Sequence, residues 1–412
     1  MAAVTIPLCE PFLGGREWDY VKDCLDSGWV SSVGTYVTRF EQNVASWLGA
    51  RHAVAMMNGT SALHIALRVA GIAADDEVLT STLTFIAPAN AIRYVGAWPV
   101  FIDAEPQFWQ MDIDKLSEFL TRGCRWVRSE LRNRHTGRRI RAILPVHVLG
   151  HPVDMDPLLA LAEQYGLAVV EDATEGLGGE YRGRRVGTLG HVACLSFNGN
   201  KIITTGGGGM LVTDNESWAR AAKYLSTQAK DDPIEYEHHA IGYNYRLTNL
   251  LAAFGVAQFE RLDAHVEAKR RIAQRYAEAI DAVVPGLEGM REAPWARSTR
   301  WMYTVLVDET TFGMPSRTLL HALAADGIQT RPLWQPLHRS LAHRGAFAVD
   351  GDVADRLHRD ALSLPCSVGL TEPAQNAVIA SLFAAYRTRG SASPSEHANA
   401  SSSVNASKRG IA

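Results

Sequence analysis

Residues 36–48 place Val37, Phe40, Val44 and Leu48 at helical spacing, and Gly49-Ala50 ends the run. The short apolar stretch 53–56 predicts a strand. It leads through Asn58-Gly59-Thr60-Ser61 into a helix carrying Leu63, Ile65, Ala66, Leu67 and Val69. Apolar runs at 77–80, 99–102, 142–146 and 168–170 predict further buried strands, with helical stretches such as 157–165 between them. Short apolar strands alternating with amphipathic helices predict an α/β fold with a mostly parallel sheet covered on both faces. From Leu250 one helical pattern, free of Gly and Pro after Gly255, runs to about Ile280 and bridges into a smaller C-terminal part. The expected division is therefore a large domain over 12–258, a small α+β domain over 259–388 and a disordered Ser/Ala/Asn-rich tail over 389–412. The two Asn-Ala-Ser sequons in that tail, at Asn399 and Asn405, read as chance.

Composition narrows the class. With 412 residues, 47% of them apolar, the chain is long enough for two or three domains around a large core. Lys plus Arg total 41 against 44 Asp plus Glu, a formal charge of −3, which argues against a nucleic-acid or anionic-membrane partner held by bulk charge. No apolar run reaches the roughly 18 residues that span a bilayer, and residues 1–5 lack a basic segment followed by an apolar one. The five cysteines (Cys9, Cys24, Cys124, Cys194, Cys366) are scattered without a C-x-x-C pair, so neither a disulfide scaffold nor a metal site is expected and a reducing cytoplasm fits. The segment 122–141 holds eight arginines and reads as a solvated insert between a helix and a strand, with attraction of an anionic ligand as the alternative.

Three stretches carry chemistry. In Ser196-Phe197-Asn198-Gly199-Asn200-Lys201 a single lysine stands between an apolar segment and the glycines 206–209, where backbone can approach a ligand closely. A lysine amine whose environment favours the neutral form bonds covalently to aldehydes. Asp172 and Glu175, in Glu171-Asp172-Ala173-Thr174-Glu175, follow an apolar strand at the carboxyl edge of the sheet, where ligands bind in open α/β folds. A carboxylate there holds a pyridine nitrogen protonated; taken alone, Asp172 serves equally well as a helix cap. Gly59, Thr60 and Ser61 offer backbone N–H groups and hydroxyls at a helix N-terminus, suited to a phosphate. Neither G-x-G-x-x-G nor G-x-x-x-x-G-K-[ST] occurs there, which disfavours dinucleotides and nucleoside triphosphates. Phe85 is a candidate to stack on a flat ring. Together these residues are the equipment of pyridoxal phosphate chemistry.

Six ordered motifs between about Phe12 and Tyr386 then carry a family resemblance: N-G-T-S-A, T-F-x-A-x-A-N at 84–90, E-D-A-T-E, S-F-N-G-N-K-x-x-T-T-G-G-G-G-M, G-Y-N-Y-R-L-T, and the segment from Arg331 to His338. The chain resembles the DegT/DnrJ/EryC1/StrS sugar aminotransferases, whose architecture is the fold type I of aspartate aminotransferase. The resemblance implies that Lys201 bonds to pyridoxal 5'-phosphate and shuttles the proton, with pyridoxamine 5'-phosphate formed midway. It implies that Asp172 pairs with the pyridine nitrogen, that Phe85 stacks on the ring, and that Thr60, Ser61 and Ser196 hold the phosphate. Glu175 stands where many members carry Gln or His. Asn244 resembles the residue that reaches the phosphate from a neighbouring subunit, which implies a homodimer with a shared site, and the resemblance places His338 and Arg331 toward the sugar nucleotide. Glutamate and 2-oxoglutarate are the expected amino donor and its product. The block G-G-G-G replaces the family's common G-E-G-G, so Gly207 or Gly208 stands in for an acid. That feature, the basic insert, Asn198-Gly199-Asn200 and the segment 147–156 resemble the legionaminic-acid and bacillosamine-type subgroup, implying a UDP-linked 4-keto-6-deoxy-N-acetylhexosamine. GDP-4-keto-6-deoxymannose is the alternative substrate, and a non-catalytic regulator on the same fold is the alternative class. Lys201 argues against the C-3 dehydratase branch, where histidine replaces the lysine.

Overall fold

The computed structural model describes residues 6–388 apart from Pro233; the predicted tail 389–412, with both sequons, lies outside the described residues. One eight-stranded sheet dominates, built of β1 (His52–Met56), β2 (Glu77–Ser81), β3 (Trp98–Ile102), β4 (Ile140–Leu144), β5 (Ala168–Asp172), β6 (Val192–Ser196), β7 (Gly209–Thr213) and β8 (Phe347–Val349). Their spatial order is β1-β7-β6-β5-β4-β2-β3-β8. Only β7 runs against its neighbours; all other pairings in the sheet are parallel. Because two reversals cancel, the C-terminal ends of β1, β2, β4, β5 and β6 therefore share one edge. The continuous apolar runs read from the sequence are explained by burial on both faces, and β2 is buried at all five positions.

Helices cover the sheet. In α2 (Thr35–Leu48) the four periodic residues are all buried, and Gly49 closes the helix in the left-handed region at φ 77°. α3 (Gly59–Val69) starts on Asn58, whose side chain accepts the Ser61 N–H.

The structure corrects two predicted elements. The helix expected over 250–280 is broken into α6 (Asn249–Phe259) and α7 (Leu262–Val283), numbered after α1 (Glu17–Ser27), α4 (Ala87–Tyr94) and α5 (Met155–Tyr165). α6 is apolar nearly all round and packs between α1 and α2, whereas α7 is amphipathic. The break is pinned by charge: Arg39 and Tyr20 hold Glu260, and Arg261 Nη1 donates to Gly14 O at 3.0 Å. The strand expected over 142–146 stops at Leu144, because Pro145 has no N–H to continue the ladder. Pro145 O still accepts the Asp172 N–H at 2.9 Å.

Beyond α6 the strands Leu287–Gly289, Tyr303–Val307 and Ala361–Leu364 form a separate antiparallel sheet. The predicted division after residue 258 falls close to the start of α7, and β8 crosses it to pair with β3. The arginine-rich insert folds into a hairpin, Cys124–Val127 against Glu130–Asn133. Half of its eight arginines pair with acids of the same chain: Arg122 with Glu118, Arg132 with Glu130, Arg138 with Glu77, and Arg139 with Asp76 at 2.8 Å. This favours the solvated-insert reading.

At the shared edge the register places Gly209 opposite both Met56 and Ser196. A Cβ on Gly209 would lie 2.3 Å from the Asn58 carbonyl and 2.6 Å from Gly59 N. The close approach of β7 to the loop before α3 thus requires glycine by space alone. Gly209→Ala is expected to push that loop away, costing about 1–3 kcal/mol in urea unfolding and weakening cofactor retention in the same protein.

Candidate active site

The loop after β1 turns into α3 with its first-turn N–H groups facing the sheet edge. Asn58 Oδ1 accepts from Ser61 N and Ser61 Oγ, both at 2.8 Å, which fixes the turn. A Cβ on Gly59 would come within 3.0 Å of Ser196 Cβ and 3.1 Å of Thr174 Cγ2. Gly59, Thr174 and Ser196, from three separate segments, therefore converge. Thr60 is half-buried beside them. Backbone donors, hydroxyls and a helix N-terminus in one small space suit a phosphate.

Lys201 sits on the loop between β6 and β7, its backbone N–H bonded to Asn198 O at 3.0 Å. Its ammonium lies 3.3 Å from Glu175 Oε1 and 4.1 Å from the centroid of the Trp301 ring, with the side chain only 14% exposed. The second Glu175 oxygen accepts the Leu149 N–H at 2.8 Å. Leu149 adopts φ 59°, a left-handed conformation unusual for a branched side chain. Burial raises the Glu175 carboxyl above its ordinary value, with Lys201 pulling it back.

Asp172, the last residue of β5, is 2% exposed. Its Oδ1 accepts the Thr174 N–H at 3.1 Å. Burial pushes this carboxyl up, while the Thr174 hydrogen bonds and the Lys201 charge oppose the shift. Among the described residues no cation pairs with it directly. A buried carboxylate at a strand end, one turn from a phosphate-sized cradle and near a lysine, fits a protonated pyridine nitrogen.

Glu171, one residue earlier, is fully supported. His147 Nε2 lies 3.0 Å from it, and the N–H groups of Gly187, Leu189 and Gly190 also point at it. Because His147 Nδ1 accepts the Val153 N–H at 3.1 Å, the ring proton is on Nε2 and donates to Glu171. Burial works against ionisation, yet these donors hold Glu171 below its ordinary value.

With this geometry in place, comparison with known proteins decides the family. Residues 12–383 match the DegT/DnrJ/EryC1/StrS aminotransferase family. The chain is 39% identical to the GDP-perosamine synthase of Caulobacter vibrioides over 377 residues, covering 92% of this chain and 97% of that one. It is 39% identical over 333 residues to the GDP-perosamine synthase of Escherichia coli O157:H7, covering 81% and 85%. The crystal structure of DesV from S. venezuelae superposes with a TM-score of 0.80 at 30% identity, covering 92% of this chain and 95% of that one. The chain belongs to the DegT/DnrJ/EryC1/StrS aminotransferase family. It is a pyridoxal-phosphate-dependent sugar aminotransferase with the fold type I architecture, and the regulator alternative is set aside.

Other residues singled out from the sequence fall in different places. Phe85 lies four residues beyond β2 on the same edge and is 53% exposed. Asn244 faces solvent, its backbone bridged to Thr227, while Tyr243 and Tyr245 on either side pack against His64 of α3. His338 is half-buried, with Nδ1 2.8 Å from Thr82 Oγ1 and Nε2 3.4 Å from Asp355 Oδ1, so the Nδ1 side of the ring is engaged within the chain. Arg331 pairs with Ser363 through its backbone and exposes its guanidinium. Of the two glycines offered in place of the family acid, Gly207 has room for a Cβ, its nearest neighbour being Met57 O at 3.9 Å. Gly208 has none, since a Cβ would strike Thr205 Oγ1 at 2.2 Å.

Sequence reasoning missed Trp301, Thr174 and His147 as members or supports of the site. The first arrives from the far side of α7, and no local pattern announces it.

The raised Asp172 carboxyl gives a testable pH dependence. A group that binds its proton more tightly folded than unfolded makes the cofactor-free protein lose stability as pH rises through and above the ordinary carboxylate range. In Asp172→Asn that loss disappears. Thermal melts of the cofactor-free proteins should show the variant gaining on the parent between about pH 4 and about pH 7. Turnover of the loaded variant should fall by roughly 10²-fold or more.

Proposed function

We propose that this aminotransferase moves the amino group of glutamate to C-4 of GDP-4-keto-6-deoxymannose, giving the GDP-linked 4-amino sugar. The observation that carries the transamination is the buried Lys201–Glu175 pair at 3.3 Å beside the buried carboxylate of Asp172, which has no direct cation partner among the described residues. Pyridoxal phosphate, when bound, supplies an aldehyde that bonds to amines and a ring that draws electrons from the adjoining carbon. Asp172 would keep the ring nitrogen protonated. Gly59, Thr60, Ser61 and Ser196 would hold the phosphate, with Thr174 packed against them. Phe85 would cover the exposed face of the ring.

Lys201 would bond to that aldehyde at rest and, as a free amine, would take a proton from the substrate carbon and return it. Glu175 holds that amine at 3.3 Å by an ion pair, which a Gln at this position would make as a neutral hydrogen bond. Glutamate leaves as 2-oxoglutarate, and the keto sugar then takes up the amine.

The GDP assignment rests on the two relatives at 39% identity, both named GDP-perosamine synthase. The UDP-hexosamine reading drew on the G-G-G-G block, the basic insert, Asn198-Gly199-Asn200 and the segment 147–156, and in the last of these His147 and the Leu149 N–H are occupied with Glu171 and Glu175. Residues spent on the scaffold say little about the sugar. Arg331 offers an exposed guanidinium for the nucleotide side, and His338 acts by fixing Thr82, three residues before Phe85.

A homodimer completes the proposal. α1 and the loop after it expose five large apolar side chains close together in sequence, Trp18, Leu25, Trp29, Val30 and Val33, which suit a subunit interface. Such a partner would bring Asn244 toward the other subunit's phosphate. No described helix is long and apolar enough to cross a membrane, and a cytoplasmic site of action is proposed with the substrate.

The test runs the reaction backwards, from 2-oxoglutarate and a panel of GDP- and UDP-linked 4-amino-6-deoxy sugars, scoring glutamate. A kcat/KM at least about tenfold higher for the GDP-linked amino sugar is expected; preference for a UDP-linked one overturns the assignment. Lys201→Ala is expected to retain pyridoxamine phosphate and lose steady-state turnover, and sustained turnover would remove Lys201 from its role.

A further inference from the structure

Close to the site, but outside its chemistry, lies a buried lysine among sulfurs. Lys269 on α7 is 1% exposed. Its Nζ donates to Trp301 O at 2.8 Å and stands 3.4 Å from Cys9 Sγ and 3.7 Å from Cys366 Sγ. Among the described residues no carboxylate pairs with it. An ammonium in such a place needs an anion or gives up its proton, and the groups at hand that can supply a negative charge are the two thiols.

The two cysteines are brought together by backbone pairing. Cys366 N donates to Leu8 O at 2.8 Å, and Glu10 N donates to Ser367 Oγ at 2.9 Å, so residues 8–10 run beside 366–367. Cys9 is partly exposed, whereas Cys366 is buried. The Cys366 S–H and the Lys269 ammonium, with a smaller pull from Lys201, outweigh burial and bring the Cys9 thiol down to about 6. The remaining cysteines shift the other way: burial pushes Cys24 up, Cys124 up to about 12 and Cys194 well above its ordinary value, and the hydrogen bond to Cys9 together with burial does the same to Cys366. One of five thiols is therefore both reachable and ionised near neutrality.

We propose that Cys9 is a reversible oxidation site for hydroperoxides, with Cys366 as the thiol that resolves it. The Cys9 thiolate attacks a peroxide oxygen: an S–O bond forms, the O–O bond breaks, and the peroxide is reduced to water or an alcohol while sulfur loses two electrons. The Cys366 sulfur then attacks Cys9 Sγ. An S–S bond forms, the S–O bond breaks, and hydroxide leaves as water with the Cys366 proton. A thiol reductant reverses the pair, as expected for a transient disulfide in a reducing compartment.

The location gives the modification a consequence. Cys9 Sγ lies 3.4 Å from the carbonyl oxygen of Asn200, the residue before Lys201. Trp301 Nε1 donates to that same oxygen at 2.7 Å, and its ring underlies the Lys201 ammonium. Disulfide formation removes the anion from Lys269 and leaves it only the Trp301 carbonyl. The proposal does not depend on which sugar the enzyme aminates.

The test treats the holoenzyme with hydrogen peroxide, blocks free thiols with iodoacetamide and digests without reductant. The expected product is a cross-linked peptide pair joining Cys9 to Cys366, lost on adding dithiothreitol. In Cys366→Ser, Cys9 should stop at the sulfenic acid and be trapped by dimedone. In Lys269→Met, alkylation of Cys9 near neutral pH should slow by about tenfold. First oxidation at Cys24, Cys124 or Cys194, or Cys9 and Cys366 alkylated as fully after peroxide as before, overturns the proposal. A link from Cys9 to Lys269 overturns the assignment of Cys366.

Discussion

Two buried carboxylates, Asp172 and Glu175, face a single buried ammonium, that of Lys201, and the organisation of the site follows from that imbalance. Removing charges from water is costly unless each is paired and hydrogen-bonded. Glu175 has Lys201 and the Leu149 N–H; Asp172 accepts from Thr174, with Lys201 acting on it only as a more distant charge. Among the described residues no cation pairs with Asp172 directly, and the protonated pyridine ring proposed for this site would supply one. The strained Leu149 backbone is the visible cost of aiming one N–H at Glu175.

Holding those groups in place is the task of the sheet edge. The convergence of β1, β6 and β7 at Gly209 sets the loop before α3 against Ser196 to within a methyl group. β5 delivers Asp172 to the same edge, and Cys194 of β6 is its register partner. Strands buried on both faces cannot slip without exposing apolar surface on two sides, so the site inherits its precision from the core. The loop carrying Lys201, by contrast, is tied down by Asn198, Trp301 and the Thr205–Phe197 backbone bond.

Much of this was legible in the sequence. The parallel strands announced themselves as continuous apolar runs, and Asp172 as an acid where such a run ends. Lys201 was readable from its place before a glycine cluster. Two features were not. The break between α6 and α7 is invisible to periodicity, because it is caused by Tyr20, Arg39 and Gly14, residues more than two hundred positions away. Trp301 and Thr174 join the site through tertiary folding that no local spacing encodes. The open space at Gly207, where Gly208 has none, also needed three dimensions to be read.

Glu171 and Asp172 show why composition alone could not separate support from chemistry. They are adjacent acids on one strand, both fully sequestered, and successive side chains of a strand point to opposite faces. One face offers Glu171 an imidazole N–H and three backbone N–H groups, which hold it ionised and inert. The other gives Asp172 little beyond Thr174, which leaves its charge unmet. A fold selected only for stability would have satisfied or deleted both. Leaving one without a direct cation lowers the stability of the empty protein, and it is there that a cationic ring, as proposed, would gain most.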